Sequence, residues 1–273
     1  MTFRKVRLRI VLIVSTVVAV AYAFPFFLVL VNSLKPKVEI LKNPLAFPLE
    51  FSWENFEQAI KKMEYFQALT NSLLITVVSV GSLLLTSSML AYFLARTPGR
   101  GIKATFFVLV ASMIVPFQAL MIPFVGLYGG FVNWNERIAL VFFYIGFGIA
   151  LSTFLYHGFI STIPRELDEA AAIDGAGDLT IFWRVIFPML GPVTATVAII
   201  NSLWIWNDFL LPSLVLSQDA YTLPLSTYLF YGQYSREFGQ AMAGLLLAVI
   251  PIIIFYFFLQ KQIVSGIAAG AVK

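Results

Sequence analysis

The chain has 273 residues, of which 60% are apolar and only 12% are charged, and its formal net charge is +4. Soluble domains carry about a quarter charged residues, so this composition indicates an integral membrane protein. The sequence contains no cysteine and one histidine, which excludes disulfides, thiol catalysis and a zinc site built from several such ligands. The positive charge fits cytoplasmic loops of a membrane protein, and we expect no nucleic-acid partner.

The N-terminal segment predicts an uncleaved membrane anchor. A basic stretch at residues 1–9 precedes an apolar run at residues 10–31, which is long enough to cross a bilayer. A cleaved signal peptide is the alternative, because Ala21-Tyr22-Ala23 is similar to a cleavage site. We favour the anchor because the apolar run continues beyond that site.

Further apolar runs predict that the chain crosses the membrane six times. Their bounds are residues 71–95, 104–125, 138–160, 189–211 and 241–259. With the N-terminus in the cytoplasm, six spans put the tail at residues 260–273 in the cytoplasm as well. The short basic loop at residues 96–103 then also lies inside, as the positive-inside rule requires. The sequence therefore predicts an all-α, polytopic helical bundle of the plasma membrane, forming a single domain over residues 1–273.

One long polar interruption, residues 161–188, separates the fourth and fifth predicted spans. Its acidic residues are Glu166, Asp168, Glu169, Asp174 and Asp178. Ser161 or Thr162 is predicted to cap a first helix that ends at Asp174-Gly175. Asp178 is predicted to cap a second helix that ends at Pro188. The segment therefore predicts two short helices joined by a tight turn at the membrane surface.

The spacing within this polar segment resembles a known family motif. Glu169-Ala170-Ala171, Gly175 and Val185-Ile186-Phe187-Pro188 are similar to the EAA loop in permease subunits of bacterial ABC importers. Val185 and Phe187 stand where that family usually has Ile and Leu. In the family the loop is a coupling helix that sits in a groove of a separate ATPase subunit. The resemblance implies an ATPase-coupling role for Glu169, Ala170, Ala171, Asp174 and Gly175.

The same resemblance implies a complete transport machine around this chain. The sequence contains no Gly-Lys pair, so it lacks the phosphate-binding loop of an ATPase. The implied partners are a second, related permease subunit, two ATPase subunits that bind ATP and Mg, and an extracytoplasmic solute-binding protein. This chain would then need no cofactor or metal of its own and would catalyse no reaction. The implied fold is the type I ABC importer permease, with six transmembrane helices and a cytoplasmic coupling helix.

Three polar or aromatic residues share one face of the fifth predicted span. Asn201, Trp204 and Asp208 lie at positions i, i+3 and i+7 and could line a route for a polyhydroxyl solute. The alternative is that Asn201 bonds a neighbouring helix and Asp208 lies at the outer boundary. Residues 206–212 and 222–225 resemble the corresponding region of carbohydrate importers in the family. That resemblance implies a sugar or oligosaccharide as the solute.

The C-terminal tail is rich in small residues, including Gly266 and Gly270. It is similar to the terminus of the maltose-permease subunit that has six spans, in which the tail reaches between the two ATPase subunits. The resemblance implies a second ATPase contact at Gly266 and Gly270. Composition alone predicts only a flexible terminus.

Three other functions stay open at the level of the sequence. They are an ion-gradient-driven secondary transporter, a membrane-embedded enzyme, and an ABC permease for a non-sugar solute such as glycerol phosphate. A secondary transporter needs ionisable residues deep in its spans, and Asp208 is the one candidate. An enzyme needs a cluster of acids, bases or metal ligands, but this chain offers only His157 and no cysteine.

Overall fold

The computed structural model describes residues 2–128, 135–231 and 237–271, without the side chains of residues 2–6 and 258–271. Within these ranges the chain is helical and contains no β-strand. The helices in chain order are α1 Thr2–Ser33, α2 Lys37–Lys42, α3 Glu54–Lys62, α4 Tyr65–Arg96, α5 Arg100–Ser112, α6 Phe117–Tyr128, α7 Glu136–Ile160, α8 Glu166–Ile173, α9 Asp178–Ile181, α10 Phe187–Met189, α11 Gly191–Asn207, α12 Leu210–Val215, α13 Leu223–Ser226 and α14 Phe238–Ala271. A π-helical segment, Phe182–Ile186, joins α9 to α10, and short 3-10 turns occupy Gln218–Ala220 and Thr227–Phe230.

Four helices are long and apolar enough to cross a membrane, and two bent pairs bring that number to six if each pair is one span. The long helices are α1, α4, α7 and α14. The predicted third span is divided between α5 and α6, which meet at an angle of 100° near Pro116. Proline has no backbone N–H and disfavours a helical residue before it, so the helix breaks here. The predicted fifth span is likewise α11 preceded by a bend of 78° after Met189, and it stops at Asn207.

The chain forms two compact units. The first comprises Met1–Gln67 and Ser226–Pro251. Within it a β-carbon at Gly244 would lie 2.6 Å from the Phe230 ring and 3.0 Å from Met63 Sδ, so a glycine is needed for the close approach. The ammonium of Lys35 is buried and donates to the backbone carbonyls of Asn43 and Pro44. These contacts tie the turn after α1 to the segment that follows α2.

The second unit comprises Ala68–Leu225 and Ile252–Lys273, and α7 lies at the centre of its described part. Helices α5, α11 and α12 all contact α7. A β-carbon at Gly148 of α7 would lie 2.8 Å from the Leu83 side chain and 3.2 Å from Asn201 Oδ1. Small residues allow membrane helices to approach closely, and here one glycine admits both α4 and α11.

The two ends of α7 sit in separate apolar clusters of the second unit. The cluster at the N-terminal end includes Leu83, Leu140 and Tyr144, and the one at the C-terminal end includes Tyr156 and Ile160. The second cluster also contains Ile163, Ile181 and Ile186, which come from the polar segment after α7. These three buried isoleucines therefore anchor the polar segment to the rest of the second unit.

Candidate coupling loop and solute cleft

The polar segment after α7 begins with a turn that closes that helix. Ser161 Oγ donates to the His157 carbonyl at 2.7 Å, and Thr162 Oγ1 donates to the Phe159 carbonyl at 2.7 Å. The prediction that Ser161 or Thr162 caps the next helix is therefore wrong. Hydroxyl side chains near the end of a helix bond readily to carbonyls three or four residues back. Helix α8 starts later, with Arg165 in the cap position and no capping hydrogen bond from its side chain.

Helix α8 ends in a turn that depends on glycine. The N–H of Gly175 donates to the Ala172 carbonyl, and the N–H of Ala176 donates to the Ala171 carbonyl, both at 3.0 Å. This pair of bonds is the Schellman arrangement, which satisfies the last carbonyls of a helix. It requires a left-handed backbone at Gly175, whose φ is +84°. The predicted break at Asp174-Gly175 is confirmed.

The second helix of the segment begins and ends differently from the prediction. Asp178 is the first residue of α9, Gly177 holds the cap position, and no side-chain capping bond forms. Pro188 lies at the start of α10, where its missing N–H costs little, so it does not end the helix. The Asp178 cap and the Pro188 stop are therefore both wrong. Phe182–Ile186 instead adopts a π-helical turn, and the chain bends at Leu190.

Helix α8 has an outer and an inner face. Glu169, Ala170, Asp174 and Gly175 are exposed, while Ala171 packs against the buried isoleucine cluster. The sequence reasoning missed two exposed apolar residues, Ile173 of α8 at 86% and Leu179 of α9 at 65% exposure. Their signal was that they are the two large apolar residues within residues 168–180, which are otherwise polar or small. We call Glu169, Ala170, Ile173, Asp174 and Gly175 the coupling surface.

One acidic side chain of α8 points to the inner face. Asp168 Oδ2 lies 2.9 Å from an Arg96 guanidinium nitrogen, and Asp168 Oδ1 accepts a hydrogen bond of 2.8 Å from the Tyr92 hydroxyl. Tyr92 and Arg96 lie one turn apart at the end of α4. Sequence reasoning grouped Asp168 with the other acids, because nothing in the chain order reveals that α4 ends beside α8.

The three predicted solute-pathway residues have different surroundings. Asn201 is 2% exposed, and its amide donates to Ser152 Oγ of α7 at 3.0 Å and to the Val197 carbonyl at 2.8 Å. Trp204 is 39% exposed, and Asp208 is half-buried just after the end of α11. The structure thus puts Asn201 in the contact between α7 and α11, as the sequence alternative had it. A transport role for the three residues stays a prediction.

Trp204 and Asp208 line a cleft of about 350 Å³ in the second unit. The cleft is also lined by Gln118 of α6 and by Phe147 and Leu151 of α7. Asp208 Oδ2 accepts a hydrogen bond of 3.0 Å from the Tyr144 hydroxyl, and Oδ1 accepts one of 3.0 Å from the Leu210 amide. An aromatic wall beside an oriented carboxylate is suited to binding a neutral, hydroxyl-rich solute.

Tyr144 is the residue of this cleft region that sequence reasoning missed. Its ring packs edge-on against Trp204, with ring centres 5.5 Å apart, and its hydroxyl holds Asp208. Tyr144, Phe147 and Leu151 repeat on α7 the i, i+3, i+7 spacing that was noticed on α11. That repeat was the available signal. Among the residues that the structure describes, no group of three or more His, Asp or Glu side chains could hold a metal ion.

Comparison with known proteins gives consistent matches along the chain. Residues 87–268 match the model of the family described as binding-protein-dependent transport system inner membrane component. The chain is 42% identical over 258 residues to the probable starch degradation products transport system permease protein AmyC of Thermoanaerobacterium thermosulfurigenes, with 94% of each chain covered. It is 35% identical over 268 residues to the melibiose/raffinose/stachyose import permease protein MelC of Bacillus subtilis, with 97% of each covered.

A solved structure has the same fold. The chain superposes on a subunit in the crystal structure of a bacterial ABC transporter involved in the import of the acidic polysaccharide alginate, with a TM-score of 0.81 and 21% identity. The match covers 96% of this chain and 98% of that one, and it establishes the ABC importer permease fold. The family match spans α7, the polar segment with α8, and α11. The chain belongs to the family of binding-protein-dependent transport system inner membrane components.

Proposed function

We propose that this permease subunit imports a sugar or oligosaccharide through a pathway bordered by Trp204 and Asp208, and that its coupling surface docks on a separate ATPase subunit. The names of two relatives support the solute class, since one refers to starch degradation products and the other to melibiose, raffinose and stachyose. The chemistry of the cleft supports the same class. Sugars present apolar ring faces that stack on indole and hydroxyls that donate to carboxylate.

The observation that carries the docking proposal is the composition of the outer face of α8. Ile173 is 86% exposed on a short helix whose Ala171 packs against the isoleucine cluster on the other side. An exposed apolar side chain flanked by Glu169 and Asp174 forms a small apolar centre with a charged rim. Protein interfaces have this arrangement.

The remaining partners follow from the family and from α1. A binding-protein-dependent system implies a solute-binding protein, two ATPase subunits and a second permease subunit. All side chains at residues 7–27 of α1 are exposed, so this apolar helix has room for lipid or a partner subunit. In the proposed orientation both termini and α8 face the cytoplasm, where ATP is available.

A charge reversal on the coupling surface tests the docking proposal. Glu169→Lys with Asp174→Lys should abolish both copurification of the ATPase subunits and solute import. The reason is that the acidic rim of the coupling surface would be lost and the new positive charges would repel a partner surface that complements it. Gly175→Pro should have the same effect, because proline cannot adopt a φ of +84°.

The matched control is Glu54→Lys with Glu57→Lys on α3, which changes the charge equally at exposed positions of the other unit. It should leave ATPase copurification unchanged. If both coupling-surface variants retain the ATPase subunits and import solute normally, the docking proposal is wrong.

A further inference from the structure

The contacts between α8 and α4 are polar, short and shielded from solvent. The side chains of Arg96 and Asp168 are only 13% and 16% exposed, and their ion pair spans 2.9 Å. The Tyr92 hydroxyl donates to the other oxygen of the same carboxylate at 2.8 Å. One carboxylate on α8 is therefore held by two side chains from the last turns of α4.

Two further hydrogen bonds join the end of α4 to the start of α8 and the residues before it, one donated from α4 and one donated to it. The Arg96 guanidinium also donates to the Ile163 carbonyl at 3.2 Å, just before α8. In return the Arg165 guanidinium, at the start of α8, donates to the Ala95 carbonyl of α4 at 3.0 Å. The end of α4 is thus bound to the loop before α8, to the first residues of α8, and to Asp168.

Tyr92 also connects the two halves of the polar segment. Its ring packs against Phe182 of the π-helical turn, with ring centres 5.4 Å apart, and Phe182 is fully buried. The same tyrosine therefore contacts Asp168 of the first helix through its hydroxyl and the second half of the segment through its ring.

Such a connection resists relative movement of α8 and α4. The three hydrogen bonds described above each involve a charged group, and such bonds are directional and weaken steeply with misalignment. The Arg96–Asp168 contact adds an ion pair. Shielding from solvent also reduces screening by salt, and separating the pair would leave charges without partners in the interior. A shift of α8 should therefore move the end of α4 with it.

We propose that Asp168, Arg96 and Tyr92 form a latch through which movement of α8 is passed to the membrane helix α4. These are positioning residues, distinct from the coupling surface on the opposite face of α8. The proposal rests on the proposed docking of α8 on an ATPase subunit, which would supply the movement. It adds the path by which that movement enters the membrane.

The test uses the complete importer, with both permease subunits, the ATPase subunits and the binding protein, reconstituted in vesicles. Asp168→Asn keeps the size of the side chain and removes its charge. We expect binding-protein-stimulated ATP hydrolysis and solute import to fall at least about tenfold, while the ATPase subunits still copurify in normal amounts. Tyr92→Phe, which removes one hydroxyl, should cause a smaller loss of the same kind.

Two further variants separate the latch from a general structural effect. The exchanged pair Asp168→Arg with Arg96→Asp should restore part of the stimulated hydrolysis that each single change abolishes. Glu166→Gln, which neutralises an exposed acid on the same helix, is the matched control and should behave as wild type. If Asp168→Asn protein does not accumulate, Tyr92→Phe and the exchanged pair decide the matter.

Normal stimulated hydrolysis in Asp168→Asn and in Tyr92→Phe would overturn the latch. Loss of the ATPase subunits from the purified Asp168→Asn complex would also overturn it, because Asp168 would then be needed for docking. Failure of the docking proposal has a different signature. In that case Glu169→Lys with Asp174→Lys would keep the ATPase subunits and import solute, whatever the latch variants do.

Discussion

At the scale of single residues, the carboxylate of Asp208 is held in one orientation in the cleft by its neighbours. Asp208 follows the last residue of α11 with an extended backbone, so its side chain turns back to accept hydrogen bonds from Tyr144 and from the Leu210 amide. These donors fix the orientation of the carboxylate, which lines the same cleft as the Trp204 ring.

We expect Trp204→Ala and Asp208→Asn each to reduce solute uptake by about tenfold, because each removes a stacking or charged hydrogen-bonding partner. ATPase copurification should stay normal, since neither residue belongs to the coupling surface. Uptake of labelled solute into vesicles is the measurement. Asn207→Ala is the control, because the Asn207 amide donates to the Leu203 carbonyl of its own helix. Unchanged uptake in both cleft variants would show that Trp204 and Asp208 serve helix packing and not transport.

At the scale of the element, α8 is defined by how it ends. The Schellman turn satisfies the carbonyls of Ala171 and Ala172 and directs the chain towards α9. Any residue other than glycine is strained in the left-handed conformation at position 175, and a β-branched residue is strained most. Glycine adopts that conformation most readily, and asparagine comes second among the residue types.

Substitutions at Gly175 should therefore follow backbone preference and not side-chain size. We expect Gly175→Asn to retain most of the import activity, Gly175→Ala to lose part of it at a cost of about 1 kcal/mol or more, and Gly175→Val to lose nearly all. Space is not limiting, because a β-carbon at this position would meet no atom within 4 Å. Import rates and ATPase copurification across the series are the measurement. Equal activity of the valine and asparagine variants would contradict the role of the turn.

At the scale of the whole molecule, the chain combines membrane helices with a water-exposed loop that must face one side of the bilayer. The absence of cysteine makes that side directly measurable, since any introduced cysteine is the only thiol in this chain. Arg100, at the start of α5 and outside the coupling surface, and Gln218, in the turn after α12, are both exposed and suit a single label.

We expect Arg100→Cys to react with a membrane-impermeant thiol reagent only after the cells are permeabilised, and Gln218→Cys to react in intact cells. The reason is that six crossings with a cytoplasmic N-terminus put the loop at residues 96–103 inside, on the same side as α8, and the α12 region outside. Labelling of the purified, detergent-solubilised protein controls for intrinsic reactivity at both positions. The reverse pattern would overturn the proposed orientation together with the docking of α8.

Much of this architecture could be predicted from the sequence. Long apolar runs can cross a bilayer only as helices here, because each backbone polar group must be satisfied within the segment. The break at Asp174-Gly175 was readable because glycine there has a specific backbone use. The caps at Ser161, Thr162 and Asp178 were not, because a hydroxyl or carboxylate near two helix ends can serve either, and only the path of the chain decides which.

The sequence by itself determined the helical class, the membrane setting and the polar loop, since these follow from hydropathy and from residues with restricted backbones. Only the tertiary structure decided which faces meet. A membrane helix is apolar all round, so its periodicity does not reveal its packed side. That Asp168 turns towards Arg96, that Asn201 is buried against Ser152, and that Tyr144 holds Asp208 all depend on residues 49 to 72 positions apart in the chain. Such distant pairs are brought together by the packing of helices, which no local pattern encodes.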